Sequence, residues 1–277
     1  MSDHKIFTRK TLVTVIIAFA AVYLIGVFLW GTFLDPSSYA VHYENKFISP
    51  CKEHLFGTDF MGRDMFYRSI KGLSTSIVIG VLAAAVSSLI ALIFGIASAV
   101  FGGWVDKFIN FCVDLCMGIP HLVLLLLISF MLGKGARGVT IAVALTHWPA
   151  LTRIVRAEVI QIRSSQYVQA AYKMGQSRFK VALHHIVPHV LPAYLIGLLL
   201  LFPHAIMHEA SITFLGFGLP AEVPAIGVIL SEAMKHIATG KWWLAVFPGL
   251  LLLVALIFFD AIGENLKKLW NPNSGNE

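Results

Sequence analysis

Charged side chains are scarce in this chain: Asp, Glu, Lys and Arg together make up 13% of its 277 residues, whereas hydrophobic residues make up 57%. Soluble globular domains contain roughly 25% charged residues. The apolar residues form long runs, and a run of about 20 residues is enough for one helix to cross a bilayer. The composition therefore excludes a soluble protein and predicts an all-α, polytopic membrane protein with about six transmembrane helices.

Cysteine is also rare, because Cys51, Cys112 and Cys116 are the only three. An odd number of cysteines indicates no disulfide framework, which excludes a disulfide-rich scaffold. Cys112 and Cys116 lie one helical turn apart in an apolar run, and two interpretations of them stay open. They are either soft metal ligands or, as is usual for buried cysteine, small packing residues.

Motifs for nucleotide binding and hydrolysis are missing. No glycine-rich segment ends in Lys-Ser or Lys-Thr, so the chain lacks the phosphate-binding loop of an ATPase. His208 and Glu209 are adjacent, but the second His that a zinc protease helix has three residues after the Glu is absent. We therefore predict a chain that is not an enzyme, with no catalytic residue, no assigned metal and no cofactor of its own.

The positive charge is not arranged for nucleic acid. The net charge of +6 comes from short Lys and Arg clusters beside apolar runs, and such clusters set the orientation of membrane helices. A nucleic-acid-binding protein concentrates its positive charge on one face. The pattern predicts the lipid bilayer as a partner and no nucleic acid.

Six apolar segments have the length and composition of spans. In chain order they cover residues 11–34, 74–100, 108–132, 139–151, 190–214 and 243–262. Basic residues precede the first segment and no small-residue cleavage site follows it, which predicts an uncleaved span rather than a signal peptide. Pro120 predicts a kink in the third span.

Charge also predicts the orientation. Between the fourth and fifth spans only one acid, Glu158, opposes a set of basic residues: Arg153, Arg156, Arg163, Lys173, Arg178 and Lys180. The positive-inside rule places this loop in the cytoplasm, together with the N-terminus and the C-terminal Lys267 and Lys268. An even number of spans requires both termini on one side, so span count and charge agree.

The basic loop contains a small-residue pattern in residues 167–189. Its members are Gln169, Ala170, Ala171, Gly175, His185 and Pro188. An amphipathic helix on anionic lipid accounts for the charge but not for the alanines and the glycine. Two alanines give a helix a narrow face that fits a groove, and Gly175 permits a sharp turn. Pro188 suits the first turn of the next helix. The pattern favours docking on another protein.

A second pattern lies in the polar segment after the first span. Its members are Gly57, Thr58, Asp59, Gly62, Arg63, Asp64 and Arg68. We expect a compact external loop in which Thr58 or Asp59 caps a short helix and Arg63 or Arg68 pairs with acids, which would hold an outer gate in shape. A generic capped turn is the alternative.

Four stretches together resemble one known family. Residues 167–189 resemble the EAA loop of bacterial ABC importer permeases, and residues 53–68 are similar to the GTD and GRD pattern of the peptide and nickel branch. Residues 209–227 resemble the SFLGLG and PPxPxWG signature, with Ile226 where Trp is common, and residues 260–272 resemble the terminal helix exit. The chain is identified as a member of the dipeptide, oligopeptide and nickel permease family, similar to the shorter C-type subunit.

The resemblance implies a type I ABC importer permease fold in the cell inner membrane. It implies half of a pore for peptides or a nickel or other metal chelate. The implied partners are a homologous permease, two ATPase subunits that bind ATP and Mg, and an extracytoplasmic substrate-binding protein. The expected regions are a spanning helix and external loop in 1–72, a permease domain in 73–265 with a coupling loop at about 157–189, and a cytoplasmic tail in 266–277. Gln169 stands where the family has Glu, so we attribute coupling to the shape of Ala170, Ala171 and Gly175.

Ionisable residues in the spans suggest a substrate path. His204 and His208 lie one turn apart in the fifth span, next to Glu209. A charged group at this depth costs about 2.5–3.5 kcal/mol on insertion scales, so these side chains should face the bundle interior or a water path. They are either metal contacts or neutral residues that bond locally. Asp114, in the third span, is expected to pair with a group of the partner chain.

The alternative from another class is a stand-alone secondary transporter or an intramembrane metal-dependent protein that uses His204, His208 and Glu209. The first requires an internal inverted repeat and the second a full ligand set. The sequence shows neither, which favours the permease interpretation.

Overall fold

The fold is a bundle of long helices. The computed structural model describes residues 3–270, and it describes side chains from residue 11 onward. The helices are α1 (Asp3–Phe33), α2 (Met65–Phe101), α3 (Gly103–Gly118), α4 (His121–Met131), α5 (Ala136–Arg163), α6 (Gln166–Lys173), α7 (Arg178–Val181), α8 (Val187–Phe214), α9 (Ile226–Ile237) and α10 (Trp243–Trp270). Short 3₁₀ helices cover Pro36–Tyr39 and Tyr43–Asn45. Within the described residues no β-sheet forms, and the expected all-α class is confirmed.

Five helices of the described part are long and apolar enough to cross a membrane. They cover Thr11–Phe33, Met65–Phe101, Ala136–Arg163, Arg178–Phe214 and Trp243–Trp270. A sixth crossing is available if α3 and α4 act as one broken span. The expectation of about six spans is therefore confirmed. The basic side chains before the first span and the predicted Asn271-Pro272 exit lie outside what the structure describes.

The third span differs from its prediction. Instead of one kinked helix, the chain forms α3 and α4, which are bent by 96° at the break around Pro120. Proline lacks an N–H, and it disfavours helical backbone in the residue before it. Ile119 is accordingly extended, with φ −94° and ψ 136°, and ends α3. The break aims the start of α4 toward α5 and α8.

Other span limits shift as well. The second span starts at Met65 rather than at residue 74, because Asp64 caps α2 by accepting hydrogen bonds from the amides of Phe66 and Tyr67. The fourth span extends well past its predicted end at residue 151 and stops only at Arg163. These helices project beyond their apolar runs, because capping and backbone hydrogen bonding rather than hydropathy determine where a helix ends.

Small residues allow α2 to lie at the centre of the bundle, packed against α5 and α8. Ala83, Ala84 and Ala91 are fully buried in the main apolar core. A Cβ built on Gly95 would lie 2.6 Å from Cγ1 of Val155 in α5, so this position has no room for a larger side chain. Small residues at such contacts let helices approach closely where lipid provides no hydrophobic driving force.

Replacing Gly95 tests this packing. Gly95→Val would overpack the contact with Val155, and overpacked cores lose about 1–3 kcal/mol. We expect a lower midpoint of thermal unfolding for the detergent-purified protein. Gly26→Val in α1 is the matched control, because nothing lies within 4 Å of the added Cβ there. Equal melting of both variants would contradict the close contact of α2 and α5.

Candidate functional site

The basic loop between α5 and α8 folds as two short helices, α6 and α7. Val168 and Ala171 of α6 are buried against the rest of the chain, whereas Ala170 is exposed. Consecutive helical residues point about 100° apart, so two neighbouring alanines cannot both face a partner. Ala171 packs inside this chain and only Ala170 is exposed, so the docking face predicted for this pair stays a prediction in which Ala170 alone would contact a partner.

Gly175 forms the turn after α6. Its amide donates to the carbonyl of Tyr172 at 3.0 Å, and the amide of Gln176 donates to the carbonyl of Ala171 at 3.2 Å. These two bonds make a Schellman motif, which places its glycine in the left-handed region. Gly175 has φ +81°, and an added Cβ would meet nothing within 4 Å of this chain. Backbone conformation, not space within the chain, requires the glycine.

Gln169 joins α6 to the end of α5. Its Nε2 donates to the carbonyl of Arg163 at 2.7 Å. A carboxylate cannot donate this bond and would face the partial negative charge of the α5 C-terminus. The carboxamide at Gln169, which departs from the family pattern, has a structural role in this chain.

The outward surface of the loop is both apolar and basic. Met174 is 73% exposed and Phe179 is 69% exposed. Lys173, Arg178 and Lys180 are exposed beside them. Large apolar side chains that protrude from a charged loop are typical of an interaction surface.

The loop is continuous with the following span. A π-helical turn, Ala182–Ile186, connects α7 directly to α8, and it includes the half-buried His185. Pro188 lies in the first turn of α8, where proline is tolerated. The backbone from α7 to α8 is therefore one continuous helical path.

Arginines tie this loop to the end of α2. Arg163 donates to the carbonyl of Ala99, and Arg178 donates to the carbonyl of Phe101 at 3.1 Å. Both carbonyls belong to the last turn of α2, where cations are favoured by the helix dipole. In the sequence these two arginines indicated only the side of the membrane on which the loop lies. Their hydrogen bonds to the end of α2 were not predicted.

An ion pair fixes the corner between α2, α3 and α5. Arg156 of α5 donates to both carboxylate oxygens of Asp106, at 2.7 and 2.8 Å. Ser98 of α2 donates to the same carboxylate. Bidentate arginine–carboxylate pairs restrict geometry strongly. Asp106 lies in the first turn of α3, where the helix dipole favours an acid, and this placement is the sequence signal that could have identified it.

The polar segment between α1 and α2 contributes to a charge cluster, here called the outer clamp, in which Asp59 and Arg68 are buried and Arg63 and Glu232 are partly buried. Oδ2 of Asp59 lies 2.6 Å from Nε of Arg63 and 3.1 Å from Nη1 of Arg68. Oε2 of Glu232 lies 3.0 Å from Nη2 of Arg63 and 2.7 Å from Nη1 of Arg68. Each arginine thus bridges both acids, and the clamp joins the polar segment between α1 and α2 to α2 itself and to α9.

The predicted cap within this segment is wrong. Asp64, not Thr58 or Asp59, caps α2. Thr58 instead donates to the carbonyl of Asn45, and Asp59 accepts from the amides of Met61 and Arg63. Gly57 and Gly62 have φ +71° and +77°, which glycine adopts readily. Glu232 was missed, because it is distant in sequence from the pattern it completes.

The predicted substrate-path residues separate into two environments. His204 and His208 line a cavity of about 640 Å³ between the α3–α4 break, α5 and α8. Glu209 does not line it: this side chain is fully buried, and its Oε1 accepts a hydrogen bond from Thr213 at 2.9 Å. His121 and His147 line the cavity instead. Adjacent positions on a helix face different sides, so His208 and Glu209 point apart.

Asp114 also has a different partner from the expected one. Arg153 of this chain donates to its Oδ1 at 2.6 Å, and both side chains are about half exposed or more. Cys112 and Cys116 are free and half-buried, and both pack against the main core. Cys116 in addition lines the histidine cavity.

The chain is similar in sequence to known permease proteins of transport systems. The chain is 30% identical over 255 residues to the dipeptide transport system permease protein of Bacillus subtilis (strain 168), covering 92% of this chain and 80% of the relative. It is 34% identical over 223 residues to the oligopeptide transport system permease protein of the same organism, covering 80% and 73%.

Solved structures show the same fold. An inward-facing structure of the MetNI methionine ABC transporter matches 75% of this chain and 98% of its own, with a TM-score of 0.62 and 15% sequence identity. Residues 76–271 match the family described as binding-protein-dependent transport system inner membrane component. This chain therefore belongs to the family of inner membrane components of binding-protein-dependent transport systems.

Proposed function

We propose that this chain is one permease subunit of an ATP-driven importer of peptides and forms half of the translocation pore. A homologous permease supplies the other half, two ATPase subunits bind ATP and Mg, and an extracytoplasmic binding protein delivers the substrate. The names of the two Bacillus relatives support peptides as the transported substrate. The expected alternative, nickel or another metal chelate, rests only on resemblance to the wider family.

The observation that carries the proposal is the exposed loop of α6 and α7, which arginines join to the end of α2. It presents Met174 and Phe179 among basic side chains and runs directly into α8. An acid-rimmed apolar groove on an ATPase subunit is the surface that would complement it. The charge distribution supports a cytoplasmic location for the loop and both termini. Residues 73–265 would then be the permease domain, with 1–72 preceding it and 266–277 as the tail.

The arginine contacts of the loop suggest how a movement of α6 and α7 would reach the other helices. When the ATPase subunits close, α6 and α7 are displaced, and α8 follows because it continues from α7. Arg163 and Arg178 tie the loop to the end of α2, and Arg156 ties α5 to α3. The inner ends of these helices would therefore move together and reorient the pore.

The outer clamp would hold the opposite end of the helix bundle in place while the helix ends near α6 and α7 move. It joins the start of α2 to α9, and two of its four side chains, Asp59 and Arg68, are each only 2% exposed. Buried, hydrogen-bonded charge pairs are costly to separate. The clamp therefore keeps the external segment in one shape while the inner ends move.

Replacing Gly175 tests the docking role. Gly175→Gln introduces a side chain at φ +81°, which costs about 1–2 kcal/mol locally and places bulk on the docking surface. We expect weaker co-purification of the ATPase subunits and slower peptide uptake.

Gly240→Gln is the matched control for that test. Gly240, between α9 and α10, also has φ +81° and nothing within 4 Å of an added Cβ. The backbone strain is therefore similar, but the position lies far from the loop in sequence and outside the docking surface. Unchanged ATPase association and uptake in Gly175→Gln, or equal losses in both variants, would contradict the docking role.

The clamp can be tested at Glu232. Glu232→Gln removes one of the two acids around Arg68 and leaves buried positive charge undercompensated, which costs about 3–5 kcal/mol when a buried pair is broken. We expect a clear drop in the thermal midpoint together with reduced uptake. The same change at the exposed Glu222, in the loop before α9, should leave both quantities unchanged. A Glu232→Gln protein as stable as the wild type would show that the clamp does not hold this region.

A further inference from the structure

Three histidines from three helices meet at the cavity described above, and they are here called the histidine triad: His121, His147 and His208. His121 is the first residue of α4, His147 lies in α5 and His208 in α8. One ring nitrogen of each lies within 4.8 Å of one ring nitrogen of both others. Their ring centroids are 4.6 to 5.0 Å apart. The break at Pro120 makes this meeting possible, because it turns α4 toward α5 and α8.

Backbone carbonyls orient two of the rings. A proton on Nδ1 of His147 donates to the carbonyl of Val143 at 2.9 Å. A proton on Nδ1 of His208 donates to the carbonyl of His204 at 2.8 Å and also faces Nε2 of His147 at 3.1 Å. With these tautomers the Nε2 lone pair of His208 is free, and the Nε2 lone pair of His147 shares the Nδ1 proton of His208 with the carbonyl of His204. Metal-binding histidines are commonly held in this way, with the second ring nitrogen donating to a carbonyl.

The third ring contains an unsatisfied atom. Nε2 of His121 is buried and has no hydrogen-bond partner within the described structure. A buried polar atom left without a partner costs about 1–3 kcal/mol. A ligand that binds this nitrogen would remove that cost, and a metal ion at the centre of the triad is such a ligand.

We propose that the histidine triad is a binding site for a divalent transition-metal ion of the Ni²⁺, Cu²⁺ and Zn²⁺ class. Neutral imidazole suits these ions. The residues that line the cavity include no carboxylate, and Ca²⁺ and Mg²⁺ prefer oxygen ligands. A tetrahedral ion with metal–nitrogen distances of about 2.1 Å places its ligands about 3.4 Å apart, so the rings close by up to about 1.4 Å on binding.

The remaining coordination positions face the cavity. His204 and Cys116 line the same space and offer further donors. Three protein ligands with an open position are the arrangement that lets a metal take a water molecule or an added ligand. The cavity volume of about 640 Å³ leaves room for such a ligand beside the ion. This site is a property of the chain and does not depend on the identity of the transported substrate.

Metal titration of the purified protein tests the site. The full chain, in the assembly with which it purifies, would carry an affinity tag without histidine and be stripped with a chelator. Co²⁺ serves as the coloured probe, and Ni²⁺ and Zn²⁺ compete with it. We expect one Co²⁺ per copy of this chain with a visible ligand-field band, and a higher thermal midpoint when metal is present, because ligands that bind the folded state stabilise it.

Variants of the triad locate the binding. His147→Gln and His208→Gln should each weaken Co²⁺ binding by about 10-fold or more, since even outer-shell changes at metal sites cost about 10- to 100-fold. His42→Gln is the control, because His42 is exposed between α1 and α2, lies beside Glu44 and is not among the residues that line the cavity. It should bind like the wild type. If the buried His147 variant fails to fold, the half-exposed His208 variant decides.

Three outcomes would overturn the proposal. They are no Co²⁺ band in the wild type, triad variants that bind as tightly as the wild type, and equal loss in the control. Peptide uptake, measured in parallel without added metal, separates this inference from the proposed function. A wild-type protein that imports peptide but binds no metal removes the triad site and leaves the import role intact.

Discussion

The close approach of α2 to α5 and α8 is the contact on which the rest of this structure depends. Lipid tails are as apolar as leucine, so helices in a bilayer gain little from hydrophobic burial and must gain from dense packing. Gly95 and the buried alanines of α2 provide that density. Because α2 is central, the positions of α5 and α8 are set by it, and the functional features of both helices are set with them.

Two ends of the bundle are fixed by charge in different ways. At one end the outer clamp joins four charged side chains that satisfy one another, and two of them, Asp59 and Arg68, are buried. At the other end arginines donate to the last carbonyls of α2 and to Asp106, in a more exposed setting. Exposed ion pairs contribute little and rearrange easily, whereas buried pairs resist separation. This difference agrees with the proposed function, in which the helix ends near the loop of α6 and α7 move and the clamped segment keeps its shape.

Helix α8 links the loop of α6 and α7 with the histidine cavity. The loop continues through a π-helical turn into α8, and His208 lies on that helix. His147 lies on α5, which the ion pair of Arg156 and Asp106 joins to α3. A movement of α8 relative to α5 would change the spacing of the triad. π-helical turns are frequent at functional sites because they interrupt the regular ladder of hydrogen bonds. The same helix therefore serves both the proposed coupling and the proposed metal site.

The sequence by itself determined the membrane class, a count of about six spans and the position of the two polar segments between them. Apolar run length and charge clusters are local properties, so composition alone is sufficient to reveal them. The Gly175 turn was predictable for the same reason, since its backbone conformation is set within a few residues. Tertiary structure decided which side chains meet. Ala171 turned inward, Glu209 turned away from His208, and Glu232 joined arginines far from it in sequence. His121 reached His147 and His208 only because the chain breaks at Pro120. Such meetings depend on the crossing and rotation of whole helices, which no local pattern specifies.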